Sequence, residues 1–349
     1  MRKIAIANVV ILAAVAAFAW EGPVDGGRLA CDFVADGVVR VQYALGDKLQ
    51  DNATGVVCRE RGTGNGERGT RNEDVAVIEE GCKVHLTKGD LAVEIDKASG
   101  RIIFKDAVTG RVLLAESAKN PHVGKRVNTD KVVYDEKSAR TEHTANGDVI
   151  VKDVLSRKQG EETTQYQVRF DWQKDESLYG LGQHVEDYLD LRGKEQFLTQ
   201  HNLKIAVPVL VSTAGYGLLF DAGSAMRFDD RDGAGLFEIA AAKELDYYFL
   251  KGPRLDDVVA RYRKLTGECP MLPRYAFGYV QSKERYRSSD EIIATLKRYR
   301  DLEVPIDVIV QDWNYWPQGW GYMKMDPKHY PDRPALAKAV HDQIGRAHV

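Results

Sequence analysis

Pro305-Ile306-Asp307-Val308-Ile309-Val310-Gln311-Asp312-Trp313-Asn314-Tyr315-Trp316, followed by Gly319-Trp320-Gly321, is the stretch on which the reading of this chain turns. Ile306 to Val310 is β-branched except at Asp307 and has no clean polar face, the pattern of a strand buried on both sides in a parallel sheet. Upstream, Ser289-Asp290-Glu291 opens a helical pattern with Ile292, Ile293, Leu296, Tyr299 and Leu302 three or four residues apart. Before that lies another short apolar run, Tyr275 to Val280, extending as a strand to Gln281. The predicted order is strand, helix, strand. Parallel strands joined by a right-handed crossover carry their chemistry at their carboxyl ends, which is where Gln311, Asp312 and the aromatic cluster fall. A carboxylate ringed by Trp313, Tyr315, Trp316 and Trp320 suits a ligand with hydroxyls and flat apolar faces, as a sugar has. Core packing, the usual fate of buried tryptophan, is the competing reading of those rings.

Working back towards the amino terminus, Trp20 to Asp171 is a succession of short alternating runs separated by Gly, Asp and Asn. Val39, Val41 and Tyr43 oppose Val38, Arg40 and Gln42. Leu91 to Ile95 turns through Lys97-Ala98-Ser99-Gly100 into Arg101 to Phe104, a hairpin. Strand signals about every ten residues without a helical period predict an antiparallel β-sandwich. Gly62 to Thr70, Asn120 to Thr129 and Lys137 to Gly147 read as loops. Gln200, His201 and Asn202 form a polar run between strands, expected to be buried and either to tie loops together or to face a ligand. Tyr247 to Leu250 reads as a last sandwich strand, Leu255 to Leu265 as a helix, and Cys269-Pro270-Met271-Leu272-Pro273 as a stiff connector. The expected domains are a β-sandwich over 20–265 and the start of an α/β barrel over 266–343.

The chain has 349 residues, 44% of them hydrophobic, and a formal net charge of -3. That length allows two domains with sizeable cores, and the charge balance argues against a nucleic-acid partner. Arg2 and Lys3, the apolar run from Ile4 to Ala16 and the Ala17-Phe18-Ala19 pattern predict a signal peptide over 1–19, hence export to the periplasm or beyond. The apolar run is shorter than the roughly 20 residues a spanning helix needs, so no membrane span is expected after cleavage. Cys31, Cys58, Cys82 and Cys269 have spacings of neither a disulfide framework nor a zinc site.

Several stretches together resemble glycoside hydrolase family 31, the retaining α-glucosidases and α-xylosidases: Tyr179-Gly180-Leu181-Gly182, Gly215 to Leu219, Tyr248 to Pro253, Arg261 to Gly267, Pro270 to Pro273, Gln281 to Tyr286 and Val308 to Trp313. The resemblance runs from about Tyr179 to Gln343. It implies an amino-terminal β-sandwich followed by a (β/α)8 TIM barrel. It also implies that Asp312 holds sugar hydroxyls in the cleavage subsite, that Trp313 lines it, that Glu284 at the end of the first barrel strand faces it, and that Asn202 reaches it from a sandwich loop. Bulk after Asp312, continued by Trp320-Gly321-Tyr322-Met323, is more similar to the α-xylosidase branch than to the α-glucosidases, although both substrates stay open. An oligosaccharide of xyloglucan type is the implied substrate, and no metal or cofactor is implied.

A retaining glycosidase needs two carboxylates about 5 to 5.5 Å apart. The resemblance places both on barrel strands 4 and 6, whereas only two barrel strands can be counted here. The expectation is therefore a chain truncated after about two strands, with no catalytic residue and no turnover of its own. Asp307 and Asp326 are not promoted to that role. Ile344 to Val349 is also what ATCGGAAGAGCACACGTC encodes, which resembles sequencing-adapter read-through, so 344–349 is expected to be a non-native tail. The rival from another class is a non-catalytic carbohydrate-binding protein, distinguished by whether further βα units follow.

Overall fold

The computed structural model describes residues 18–50, 54–58, 74–144, 147–233, 235–317 and 322–344. Most of the expected leader, the Gly62–Thr70 loop, Gly319 to Gly321 with Trp320, and residues 345–349 lie outside these. The chain forms two compact units, one from 1–129 with 160–268 and the other from 130–159 with 269–349.

The first unit is a sandwich of two antiparallel sheets. In one, the strands run in the order Trp20–Val24, Gly27–Ala35, Val38–Leu45, Leu245–Lys251, Tyr216–Phe220, Ile205–Ser212, Leu178–Gln183. The other runs Glu195–Leu198, Met226–Asp229, Leu236–Ala242, Val154–Asp171, Val112–Glu116, Ile102–Asp106, Leu91–Asp96, Lys83–Lys88, Ala76–Glu80, with His122–Tyr134 also paired to Val154–Asp171. The sheets meet through aromatic side chains. Phe104 of the second stacks on Phe249 of the first with ring centroids 4.1 Å apart, and Phe170 meets Tyr247 edge-on at 5.6 Å. Rings of this size bury 150 to 250 Å² each, so a dozen of them account for much of the core's hydrophobic stabilisation. The predicted Leu91–Phe104 hairpin forms with Leu91, Val93, Ile95, Ile102 and Phe104 all inward.

The Tyr179-Gly180-Leu181-Gly182 motif has a local cause. Gly182 has φ +109°, and a Cβ there would lie 1.9 Å from the Ile205 carbonyl oxygen. Pairing with Ile205–Ser212 shifts register between Gly180 and Gly182, a bulge that only glycine accommodates. The helix Leu255–Thr266 then buries Val258 and Leu265 against this sheet.

Two segments expected to be loops are strands. His122–Tyr134 covers the supposed loop at 120–129, and Arg140–Thr144 pairs with Gly147–Val151 across the one at 137–147. His122–Tyr134 is largely exposed beyond its first residue and residues 140–143 are exposed, so no apolar alternation marks them; the signal used to find strands depends on one buried face. The Gln200, His201 and Asn202 run is exposed, not buried.

In the second unit, Val280–Lys283 pairs in parallel with Val308–Gln311, in the register Val280 to Val308 and Lys283 to Gln311. The helix Ser289–Asp301 connects them, started by Ser288, whose Oγ accepts from the Glu291 N–H at 3.3 Å. The first strand begins later than the apolar run suggested. Arg274–Phe277 is a 3-10 turn following Pro273, and Phe277 is 70% exposed, so its hydrophobicity reports no strand. A second helix, Arg333–Ile344, begins at Asp332, whose Oδ1 accepts from Ala335 N at 2.9 Å. Tyr286, Ile292, Leu296, Ile306, Ile309, Tyr330, Leu336 and Val340 form this unit's core.

Candidate functional site

The carboxyl ends of the two parallel strands carry the candidate site. Past the ladder, the Trp313 N–H donates to the Glu284 carbonyl oxygen at 3.1 Å, joining the two strand ends. Side chains alternate along a strand. Ile309 packs in the core with Ile292 and Leu296 of the helix, so Val308 and Val310 lie on the opposite face of the strand, and Asp312 follows directly on its end. Asp312 and Glu284 are both exposed, and among the described residues neither carboxylate makes an ion pair or side-chain hydrogen bond. A carboxylate left free at a strand end, beside rings, is an acceptor available to a ligand.

The rings are half-buried and edge-on to one another. Trp313 and Trp316 meet T-shaped with centroids 6.3 Å apart, and Tyr315 and Trp316 likewise at 5.2 Å. Asn314 between them has φ +52°, a left-handed turn that asparagine tolerates better than most residues. The following loop is pinned by the Asp326 N–H on the Tyr315 carbonyl at 2.7 Å and by Ser289 N–H on the His329 carbonyl at 3.1 Å. Asp307 and Asp326 are structural. Asp307 Oδ2 accepts from the Tyr279 N–H at 3.1 Å, and Asp326 Oδ1 from the Lys328 N–H at 2.9 Å.

Glu284, Asp312 and Trp313 thus come together in one unit. Asn202 lies in the other, at the tip of a tight turn closed by the His201–Lys204 bridge, where Leu203 has φ +72°. Gln200 ties that turn, donating to the Lys204 carbonyl at 2.6 Å and accepting from Ala206 N–H at 3.2 Å. The Asn202 side chain is exposed. What sequence reasoning missed is the layer beneath the site, where Tyr330, Tyr286, Gln281 and Gln311 form a hydrogen-bonded set; Gln281, Tyr286 and Gln311 fall in stretches already singled out, but no motif marks Tyr330, which joins Tyr286 to Gln311.

Among the described residues no group of His, Cys, Asp or Glu is arranged to hold a metal ion, and no helix is long and apolar enough to cross a membrane. All four cysteines are free thiols, Cys31 buried and the others exposed.

The chain thus combines an antiparallel sandwich with a parallel βαβ unit that carries acids and rings at its strand ends. Profile comparison agrees in both parts: the glycosyl hydrolase 31 N-terminal galactose mutarotase-like domain matches residues 28–229, and the glycosyl hydrolases family 31 TIM-barrel domain matches residues 269–349. The chain belongs to glycosyl hydrolase family 31, a family of glycosidases. It is 34% identical over 284 residues to an alpha-xylosidase of Saccharolobus solfataricus, covering 72% of this chain and 39% of that protein. To alpha-glucosidase 2 of Bacillus thermoamyloliquefaciens it is 27% identical over 176 residues, 46% of this chain and 22% of the relative. Among solved structures, a GH31 alpha-xylosidase from a soil metagenome, complexed with xylose, superposes with a TM-score of 0.70 at 23% identity, covering 92% of this chain and 44% of that one. The chain therefore spans well under half the length of these relatives.

Proposed function

We propose that the protein, in the longest form its gene encodes, hydrolyses terminal non-reducing α-linked glycosides with retention, and that the sugar released is xylose from xyloglucan-type oligosaccharides. The observation that carries this reading is the free Asp312 carboxylate at the carboxyl end of a parallel strand, next to Trp313 and joined through it to Glu284. Asp312 accepts hydrogen bonds from ring hydroxyls, Trp313 packs against a sugar face, and Glu284 supplies a further polar contact. Charge-assisted bonds of this kind contribute about 1.5 to 3 kcal/mol each. The 34% identity to an alpha-xylosidase supports xylose over glucose. Bulk beside Asp312 supports it too, because a hydroxymethyl group on the sugar needs room there.

Neither Asp312 nor Glu284 takes the nucleophile or acid/base role, which retention assigns to two carboxylates about 5 to 5.5 Å apart. We place that pair on later barrel strands, so that the 349-residue polypeptide alone has no turnover. Export follows from the leader pattern in the first 19 residues, and amino-terminal sequencing of secreted protein should then begin at Trp20.

The test is hydrolysis of aryl α-xyloside and aryl α-glucoside, with the first-formed anomer read by proton NMR. Faster release of α-xylose supports the proposal. Preference for the glucoside would make the protein an α-glucosidase, and release of the β-anomer first would exclude retention. Binding of oligosaccharide without hydrolysis would favour a carbohydrate-binding protein.

A further inference from the structure

Asp312 has no side-chain partner of its own, so its carboxylate is placed by the backbone on either side. On one side, the Trp313 N–H is held by the Glu284 carbonyl. The other side is Gln311, whose side chain is half-buried and reaches into the layer between the sheet and its helices. There its amide oxygen lies 3.3 Å from the Tyr330 hydroxyl, while its Nε2 is buried without a partner. The same hydroxyl donates, over a shorter contact, to the carbonyl oxygen of Tyr286. Tyr330 is 4% exposed and Tyr286 wholly buried.

A phenol has one proton to give, and a backbone carbonyl can only accept. The proton therefore points at Tyr286, and towards Gln311 the Tyr330 oxygen is an acceptor. Only the amide nitrogen can meet it. Turning the Gln311 amide over brings Nε2 to that oxygen, which also removes the one buried donor left unpaired at this position. The result is a directional chain from the Gln311 amide through the Tyr330 hydroxyl to the Tyr286 carbonyl, in which each bond polarises the next. Burial pushes the Tyr330 hydroxyl up to about 12, so it keeps its proton at any working pH. Tyr286 is anchored in turn, its hydroxyl accepting from Gln281 Nε2 at 3.2 Å.

We propose that Tyr330 is a positioning residue for Asp312: its hydroxyl locks the end of the second strand to the loop after the first, and so fixes the backbone from which the sugar-binding carboxylate projects. This rests on the reading of Asp312 as a ligand for the sugar. It adds that recognition depends on a buried hydroxyl that never touches the sugar.

The experiment is a double-mutant cycle in the longest form of the protein, with Tyr330→Phe, Gln311→Leu and the pair together, and Asp312→Ala alongside. Each is assayed on aryl α-xyloside and aryl α-glucoside. Tyr330→Phe keeps the ring in the core and removes one oxygen. Each single change is expected to lower kcat/KM on the α-xyloside roughly tenfold, about what one buried hydrogen bond transmits. The double variant should fall no further than the worse single one, since both break the same chain. The ratio of xyloside to glucoside rates should fall by about threefold or more. A residue that merely supported stability would reduce the active fraction for both substrates alike and leave that ratio unmoved. A Tyr330→Phe protein within twofold of the parent, or additive losses with an unchanged ratio, would overturn the inference. If Asp312→Ala abolishes activity while Tyr330→Phe is silent, only this inference fails. If Asp312→Ala is itself silent, the reading of the site fails and this inference with it.

Discussion

Asp246 gives the sandwich a specific response to pH. Its carboxylate is wholly buried, held by Arg40 Nε at 3.0 and 3.2 Å and by Arg40 Nη2. Asp221 and Glu244, 2% and 1% exposed, lie in the same patch and put two more carboxylates beside one guanidinium. Desolvation raises Asp246 from an ordinary 3.8 to about 7; Arg40 opposes the shift and the two acids add to it. A carboxyl group whose folded value lies above its unfolded one holds a proton that the unfolded chain has released. Stability is therefore lost as pH rises from about 4 to about 7 and is level above that. A shift of about three units at 1.36 kcal/mol each is on the order of 4 kcal/mol in all, of which about 3 kcal/mol falls between pH 5 and 8. Asp246→Asn keeps the shape and removes the titration. Urea unfolding of both proteins at pH 5, 6, 7 and 8 should show the parent weakening by that amount while the variant changes by less than about 1 kcal/mol. Equal pH slopes in the two proteins would refute the reasoning.

Other consequences are as direct. Glu116 is fully buried and accepts from the Ile102 N–H at 2.8 Å, the Tyr247 hydroxyl and His122 Nε2 at 2.7 Å. Glu116→Leu strands all three and should cost roughly 5 kcal/mol, against about 2 kcal/mol for Glu116→Gln, which retains an acceptor; equal losses in urea unfolding would contradict this. Lys105 and Lys83 hold Glu94 down to about 2 by hydrogen bonding. A depressed carboxylate stabilises above its unfolded value and loses that contribution as pH falls, so an acid limb below about pH 4.5 should flatten in Glu94→Gln, and an unaltered limb would exclude the assignment. Ser288→Ala removes the cap of the helix Ser289–Asp301 and should cost about 1 kcal/mol of its unit's stability, seen as a lowered melting midpoint.

Where a segment has one wet and one buried face, the sequence was enough to find it. Leu91 to Phe104 alternates cleanly because one side of the hairpin faces the other sheet, and Ser289-Asp290-Glu291 marked the helix start, which the structure places at Ser289 with Ser288 as its cap. The failures share a physical cause. His122–Tyr134 is largely wet on both faces beyond its first residue and shows no alternation, while Phe277 is apolar but 70% exposed. Apolar run and strand are different things when nothing covers the run. Asp332 and Pro334 did signal the helix Arg333–Ile344, through a cap and a residue suited to a first turn, and they were there to be read. At the candidate site, the position of Asp312 and Trp313 at the end of a parallel strand was legible from the apolar run before them. Gln200 was legible as a tie within its turn, though exposed rather than buried. Tyr330 was not, since its role depends on contacts with Tyr286 and Gln311 that lie 44 and 19 residues away in sequence.

The central claim is that Asp312 holds the sugar of an α-glycosidase. Its most direct test is kcat/KM on an aryl α-xyloside for the longest form of the protein and for its Asp312→Ala variant. Loss of charge-assisted bonds to two hydroxyls predicts a fall of about a hundredfold or more, with the fold intact by circular dichroism. A variant that hydrolyses the xyloside as fast as its parent would contradict the account.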